Sequence, residues 1–595
     1  MSGRERAGVN SDNNVTKDVR TVRRDQGMTN AQPARSRAGT VGRATVRLFL
    51  IPAFIILIIY SPRYNEGRFL SLDEGQYLAP VAAVLDGKVL YREAYTFYGP
   101  VLVHGLALCM RLFGATIATY RAAFLWGSIV VLLLSYALLL SAVKRNAFAF
   151  LGGWMIALIN GASYWYARYG AVRLYGPLLS ALCFVGYFGN RNRRWLIGVA
   201  GALAALSAFT SPDMLYPALV VGIVGITISA VQERRLVMAR LVKACGLYSL
   251  GFIAVLIPFV IWLASRGALI PYLQAGFYDV PFILSNLYPV GHVFTNPPAS
   301  LSSLAWRTFL LTRACLMYVM LASYVCAAGY LAARWMRAGH LDVRDSSIAV
   351  ALAIGVPMLH IGWRRLEGFQ LFFGAPPAFV VLAYLWERLY EWMRLSVNQL
   401  KAKRRYDGAR LVLALAPALV AFSVSFLWMA HYTVRRANLA VILQNYGLKE
   451  LPQQLRCVPL ELERAGIAVP EEQAERIKGV VEYIQAHTQP GEPIFALPHE
   501  GTIYFLADRP SPTRFSTVIY TEFRPEYMQE ALNDLERTKP KLAVYAGDSY
   551  LNQYFKVTAE ERIAPLMEYL RTHYVEMDAI GDTHFYVRTE TQRQP

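Results

Sequence analysis

Between residues 46 and 431 the chain is built mostly of uncharged apolar runs, and crossing a bilayer core takes roughly 17–25 such residues in a helix. The runs lie at 46–60, 117–142, 145–163, 172–189, 195–210, 214–231, 244–265, 304–334, 346–362, 368–387 and 410–431. A polytopic α-helical membrane protein accommodates this pattern. A soluble chain of 595 residues would divide into several domains with charged surfaces. Here 55% of residues are hydrophobic, 17% are charged and the mean hydropathy is +0.30.

The net charge of +19 would suggest a nucleic-acid partner in a soluble protein. Its distribution argues against one. Much of the excess lies in residues 1–47 and in short clusters between apolar runs, as in cytoplasmic loops held at an anionic leaflet. No basic groove interleaved with aromatics is present. The first apolar run ends at Ser61-Pro62-Arg63-Tyr64 without an Ala-x-Ala-like cleavage site, so it reads as a retained membrane helix. Residues 1–45, rich in Arg, Ser, Asn and Gly, read as a disordered cytoplasmic tail. Five cysteines (Cys109, Cys183, Cys245, Cys315, Cys326) fall in apolar segments and Cys457 near the C-terminal side. They show neither metal spacing nor a disulfide framework and read as small hydrophobes.

One further apolar run, 99–114, is short, opens at Gly-Pro and carries His104 and Arg111. Counting it as a span would turn most of the basic loops outward, against the positive-inside rule. Reading it as an interfacial helix instead puts Lys144-Arg145, Arg191 to Arg194, 233–243, 334–344 and 388–410 on the side of the Arg-rich N-terminus. That gives eleven spans over 46–431, an outer loop at 61–116, an inside N-terminus and an outside C-terminus. Residues 432–595 mix polar and apolar positions. Strand-like runs occur at 493–497, 542–545 and 584–587, and helical patterns at 471–486, 525–536 and 559–573. A small extracytoplasmic α/β domain follows. No dinucleotide fingerprint, P-loop or internal repeat is visible.

The expected outer face collects the residues that could do chemistry. Loop 61–98 brings Asp73, Glu74, Asp86, Arg92, Glu93 and Tyr98; loop 163–173 brings Arg168 and Arg173; loop 211–217 brings Asp213; and the turn near 360–368 brings His360, Arg364, Arg365 and Glu367. An Arg at the bilayer centre costs about 2.5–3.5 kcal/mol on insertion scales, so arginines gathered at one membrane edge suit an anionic group. Guanidinium forks match the oxygens of a lipid phosphate there. A carboxylate beside it could take the proton from an acceptor hydroxyl attacking a sugar carbon bonded to that phosphate. Each residue also has a structural reading. The acids could be solvated, Arg364-Arg365 could anchor helix ends, Arg168 and Arg173 could pair with loop acids, and Asp213 after Pro212 could cap a helix. Tyr164, Trp165 and Tyr166 fit an interfacial aromatic belt. His104 and His360 suit packing, and His499-Glu500 lacks metal spacing.

The run Ser-Leu-Asp-Glu-Gly-Gln-Tyr through Tyr-Thr-Phe-Tyr-Gly-Pro (71–100) resembles the first outer loop of GT-C fold glycosyltransferases of the protein-mannosyltransferase and aminoarabinose-transferase type. The likeness continues through Phe113-Gly114, Tyr120-Arg121-Ala122-Ala123 and Tyr166-Ala167-Arg168. It implies a GT-C-like fold, a polyprenyl-phosphate-linked sugar as donor, and transfer at the outer face of the plasma (inner) membrane. It further implies Asp73, with Glu74 beside it, as the catalytic acidic position. Arg92, Arg168, Arg173, Arg364, Arg365, Tyr98 and Asp213 are the candidates for holding donor phosphate and sugar. The family often shows Arg-Pro-Asp after the third span. Here Arg173 is followed by Leu174-Tyr175-Gly176-Pro177, so a second acid would have to come from Glu74, Asp213 or Glu367. A divalent cation stays open as a cofactor, because paired carboxylates can bind one or act without it. Sugar and acceptor are not specified. A lipid or sugar transporter is the alternative, and it would need ionisable residues near the bilayer midplane. A non-catalytic scaffold presenting 432–595 is a third.

Overall fold

The computed structural model describes residues 42, 44–60, 64–67, 71–160, 171–231, 237–281, 313–364, 368–403, 443, 446, 448, 456–498, 500–547 and 558–589. Most of the expected tail, the run 410–431, Arg168, Arg365, Glu367 and His499 lie outside the described residues, as do the side chains of His360 and Arg364.

Among the described residues a helix stands on each of the first ten expected runs. They are α1 (Val46–Ile59), and after the outer-loop helices α2 (Ser71–Leu85) and α3 (Pro100–Phe113), α4 (Ile117–Ala142), α5 (Asn146–Asn160) and α6 (Tyr175–Gly189). There follow α7 (Trp195–Thr210), α8 (Leu215–Val231), α9 (Val237–Ser265), α10 (Arg313–Ala338), α11 (Val343–Arg364) and α12 (Gly368–Lys403). Five helical stretches, at Ile117–Ala142, Val172–Gly189, Pro212–Val231, Val237–Ser265 and Leu316–Ala338, are long and apolar enough to cross a membrane. From Leu250 to Ile261 the exposed face of α9 is apolar, with Leu250, Ile253, Ile257 and Ile261 outward, which suits lipid and not water.

Small residues let these helices approach. A Cβ on Gly251 of α9 would overlap the carbonyl of Gly198 on α7, and one on Gly201 would overlap the Tyr248 carbonyl. In lipid, where burying apolar surface gains little, such backbone proximity is a main source of helix association.

The two ends of the bundle differ in chemistry. At one end Arg47 donates to the carbonyls of Lys144 (2.6 Å) and Leu140 (3.0 Å). The buried Glu387 accepts from the backbone N–H groups of Lys144 and Arg145 (both 2.7 Å) and from Arg344. The buried Asp345 meets Arg334 (2.8 Å) and Arg388 (2.9 Å). Of the basic clusters assigned to the N-terminal side, Lys144-Arg145, Arg334 with Arg344, and Arg388 thus share an end with Arg47. At the other end lie α2, α3 and the C-terminal unit. The run 99–114 is a helix, as expected, starting with Pro100 at its first turn and stopped by Gly114 at φ 96°. It buries Leu102, Val103, Leu106, Ala107 and Met110 and exposes Leu108, Leu112 and Phe113.

The C-terminal unit opens with an antiparallel pair, β1 (Cys457–Pro459) and β2 (Ala468–Pro470), then α13 (Glu471–His487). It continues through β3 (Phe495–Leu497), α14 (Gly501–Ala507), α15 (Pro525–Thr538), β4 (Leu542–Ala546), α16 (Ala564–His573), β5 (Tyr574–Ile580) and β6 (Thr583–Arg588). The four-stranded sheet has the order β3-β4-β6-β5, with β3 parallel to β4 and the other pairs antiparallel. The three expected strands are present. The expected helix 559–573 divides at Ile563 because Pro565, lacking an N–H, starts a new first turn there.

The α7–α9 contact gives the first test. Gly251→Val should lower the unfolding midpoint of the detergent-solubilised chain, with an overpacking cost of about 1–3 kcal/mol. Gly246→Val, in the same helix where nothing lies within 4 Å, should leave the midpoint nearly unchanged. Differential scanning fluorimetry reads both.

Candidate active site beside the C-terminal unit

Asp73 and Glu74 both stand in the first turn of α2, and successive helical residues point about 100° apart. The adjacent carboxylates therefore face different surroundings. Asp73 is half-buried, whereas Glu74 is completely buried. Glu74 is gripped by Arg121 of α4, with Nε to Oε1 at 2.7 Å and Nη2 to Oε2 at 3.1 Å. The third guanidinium arm donates to the Asn65 carbonyl at 3.1 Å. A forked, dry contact of this kind is among the stronger charge-assisted hydrogen bonds. Both oxygens of Glu74, expected beside Asp73 at the catalytic position, are thus engaged in anchoring α2 to α4. Arg121, missed as a site residue, carried a signal. It is a cation in the second turn of a 26-residue apolar helix, where a partner is required.

One turn beyond Asp73, the Tyr77 ring stacks on Tyr98, with centroids 4.1 Å apart and planes at 19°. Tyr98 donates to Gln76 Oε1 at 3.3 Å. Arg173 reaches the same place from the short turn Ala171–Leu174 that leads into α6. Its guanidinium carbon lies 4.3 Å over Phe373 and 6.0 Å from the Tyr98 ring centroid. Nη1 of Arg173 donates to Asp213 Oδ2 at 3.3 Å, and Ser211 donates to the other oxygen of Asp213. The Tyr77 hydroxyl senses all three charged groups. Burial pushes it up to about 12, Arg173 pulls it down, and Asp213 and Asp73 add to the rise.

Arg173, paired with Asp213, thus meets the Tyr77–Tyr98 pair, and Asp73 stands one helical turn before Tyr77. Of the three acids that could stand in for the one missing after Arg173, Asp213 is the one paired with Arg173. Glu74 is committed elsewhere, and Glu367 lies outside the described residues. Arg92, expected at the donor site, makes its contacts elsewhere. It is half exposed, pairs with Glu93 at 3.1 Å and donates to the Arg266 carbonyl at 3.2 Å. Among the described residues, no three His, Cys, Asp or Glu side chains gather where they could hold a metal ion.

The C-terminal unit forms part of the setting. A Cβ on Gly75 would come within 2.6 Å of the Thr502 backbone nitrogen and 2.8 Å of Gly501, so α2 and α14 touch backbone to backbone. Asp279, wholly buried, accepts from Tyr95 (2.8 Å), Tyr527 (3.0 Å) and Arg524 (2.8 Å). Arg514 donates to the Tyr91 carbonyl at 3.1 Å and pairs with Glu530 at 2.6 Å. No periodicity or motif signalled these contacts, which join residues far apart in sequence.

No protein-family model matches the chain, and no curated protein matches it at a significant level. Among solved structures, the chain is similar to the archaeal oligosaccharyltransferase AglB from Archaeoglobus fulgidus in complex with an inhibitory peptide and a dolichol-phosphate. The identity is 13% over 95% of this chain and 75% of that one, with a TM-score of 0.47. It is also similar to ArnT from Cupriavidus metallidurans bound to undecaprenyl phosphate, at 13% identity over 93% of this chain and 100% of that one, with a TM-score of 0.49. The apo state of ArnT gives 14% identity, 94% and 100% coverage, and a TM-score of 0.49.

Removing one partner of the buried pair leaves an uncompensated charge. Arg121→Met should therefore destabilise the chain by about 3–5 kcal/mol, and adding Glu74→Leu to it should recover most of that loss. Arg121→Lys should also be destabilising, since an ammonium cannot reproduce the fork. Thermal unfolding of the three variants in one detergent compares them.

Proposed function

We propose that this chain is an integral-membrane GT-C-type glycosyltransferase that moves a sugar from a polyprenyl-phosphate donor to an acceptor hydroxyl or amine. The observation that carries the reading is the gathering of a half-buried Asp73 and the ring-backed Arg173 at one end of the helical bundle. They stand beside an interfacial helix whose exposed Leu108, Leu112 and Phe113 suit a lipid surface. The loop-71–100 resemblance assigns Asp73 the acidic role. The basic end around Arg47, Lys144 and Arg344 would face the cytoplasm, and Asp73 and the C-terminal unit the opposite side, under the positive-inside rule.

In this reading the acceptor oxygen attacks the anomeric carbon as Asp73 takes its proton. The bond between that carbon and the phosphate oxygen breaks, and the phosphate leaves with the electron pair. A single displacement of this kind inverts the anomeric centre. Arg173, held over Phe373 and close to Tyr98, would neutralise the departing phosphate, exchanging part of its contact with Asp213 for the ligand. Tyr98 and Tyr77 offer a flat surface for the sugar, and Arg168, Arg364 and Arg365 are proposed to complete the phosphate clamp.

Asp73→Asn should lower transfer from a lipid-linked sugar by about 10²–10⁴-fold, the usual range for a lost general base, while the protein still folds and retains donor. Undiminished transfer would end the proposal. Arg173→Gln should lower kcat as well as raise the KM for donor. Mass spectrometry of lipid co-purifying with the wild-type chain should find a polyprenyl phosphate bearing a sugar.

A further inference from the structure

The seam between α2 and the C-terminal unit contains a polar pocket of about 320 Å³, within the range of about 300–1,000 Å³ usual for small-ligand sites. Ala79, Pro80, Ala82 and Ala83, in the later turns of α2, give it a wall of small apolar side chains. Charges of both signs complete the lining. Asp86 and Lys88 follow directly on α2, while Arg464 comes from the turn between β1 and β2 and Asp508 from the end of α14. Arg464 Nη2 meets Asp508 Oδ1 at 2.7 Å. Two further cations that reach the pocket are engaged within the protein. Arg514 pairs with Glu530 at 2.6 Å, and the buried Arg509 donates to Thr488 Oγ1 and to the Thr488 carbonyl, both at 2.8 Å. Glu93, also in the lining, is paired with Arg92. That leaves the exposed Asp86 and the half-buried Lys88. Among the described residues, neither side chain has a hydrogen bond or an ion pair. Partial burial and Asp508 push the Asp86 carboxyl up, while Lys88 and Arg464 pull it down, so the four groups act on one another across the pocket.

A ligand for this lining must both donate and accept hydrogen bonds. A phosphate would be set against Asp86 and Asp508, and an ammonium against Lys88 and Arg464. A hydroxyl meets both demands, because it donates to a carboxylate and accepts from an ammonium or a guanidinium. A sugar ring carries such hydroxyls around its rim and C–H groups on its faces, and the alanine and proline wall suits one of those faces. We infer that the pocket binds one sugar unit of a neutral glycan. Its hydroxyls meet Asp86, Lys88 and the Arg464–Asp508 pair, and its C–H face lies on the stretch from Ala79 to Ala83. The same helix carries Asp73 in its first turn, roughly 10–20 Å back along the axis at 1.5 Å per residue. Only a chain of several units reaches both places. That this glycan is the acceptor of transfer rests on the function proposed above, whereas its binding in the pocket does not.

Isothermal titration calorimetry on the full chain in nanodiscs tests this, with mannotetraose, cellotetraose and xylotetraose as probes. Inorganic phosphate and tetraalanine serve as competitors of other chemistry. At least one tetrasaccharide should bind, and neither competitor should displace it. Asp86→Ala and Lys88→Ala, which remove no internal contact, should each weaken binding about tenfold, as the loss of one hydrogen bond to a charged group does, with the unfolding midpoint unchanged. Ala83→Phe, which fills the pocket from α2, should abolish binding. Should that variant fail to fold, the two alanine variants still decide. Binding that persists in a chain without transfer activity would keep the pocket assigned and remove only the glycan's role as acceptor. Failure of all three tetrasaccharides to bind, binding indifferent to both alanine variants, or displacement by phosphate or tetraalanine would each overturn the assignment.

Discussion

The dry fork between Glu74 and Arg121 sets the geometry on which the end of the bundle bearing Asp73 depends. It joins a helix of the outer loop to a membrane helix, and its third arm ties the chain at Asn65 to both. An ion pair without access to water requires a near-ideal fit to offset desolvation. That requirement fixes the rotation of α2 about its own axis. With Glu74 turned into the protein, Asp73 is carried round to the half-buried side and Gly75 to the side that meets α14. One interaction therefore decides which of two adjacent, chemically similar acids stays half-buried and which serves as an anchor.

The opposite flank of α2 is held by the C-terminal unit through backbone proximity at Gly75 and Gly501. Asp279 strengthens the same join from a third segment, gathering two phenols and a guanidinium around one buried carboxylate. The helix bearing Asp73 is thus pressed between a membrane bundle and a soluble sheet domain. For the role proposed for Asp73, positioning is worth most when its support is rigid, and both supports are packed and internally bonded.

Much of this organisation was legible in the sequence because hydrocarbon permits few alternatives. Run length and the positive-inside rule located ten described helices, and Pro100 and Gly114 marked the ends of the interfacial one. Strands β3, β4 and β6 were readable from apolar content. β5 was not, since after Tyr574 its residues are almost all exposed and leave no alternating signal. The division of labour between Asp73 and Glu74 was also hidden. Loop composition says that two acids are present, whereas helical phase and the position of Arg121 decide where each points. The partnership of Arg173 with Asp213 joins residues 40 positions apart, a relation that local pattern does not encode.

The close seating of Gly75 against Gly501 also bears on chain continuity. The sheet domain is fastened to the helical part by packed backbone, by the Asp279 cluster and by the bonds from Ile117 and Ala118 to the carbonyls of Arg464 and Ala465 (2.9 and 3.1 Å). The covalent link through 404–455 is thus not what joins the two parts. A chain nicked in that stretch would travel as one particle on a sizing column, its two fragments separating only in denaturant.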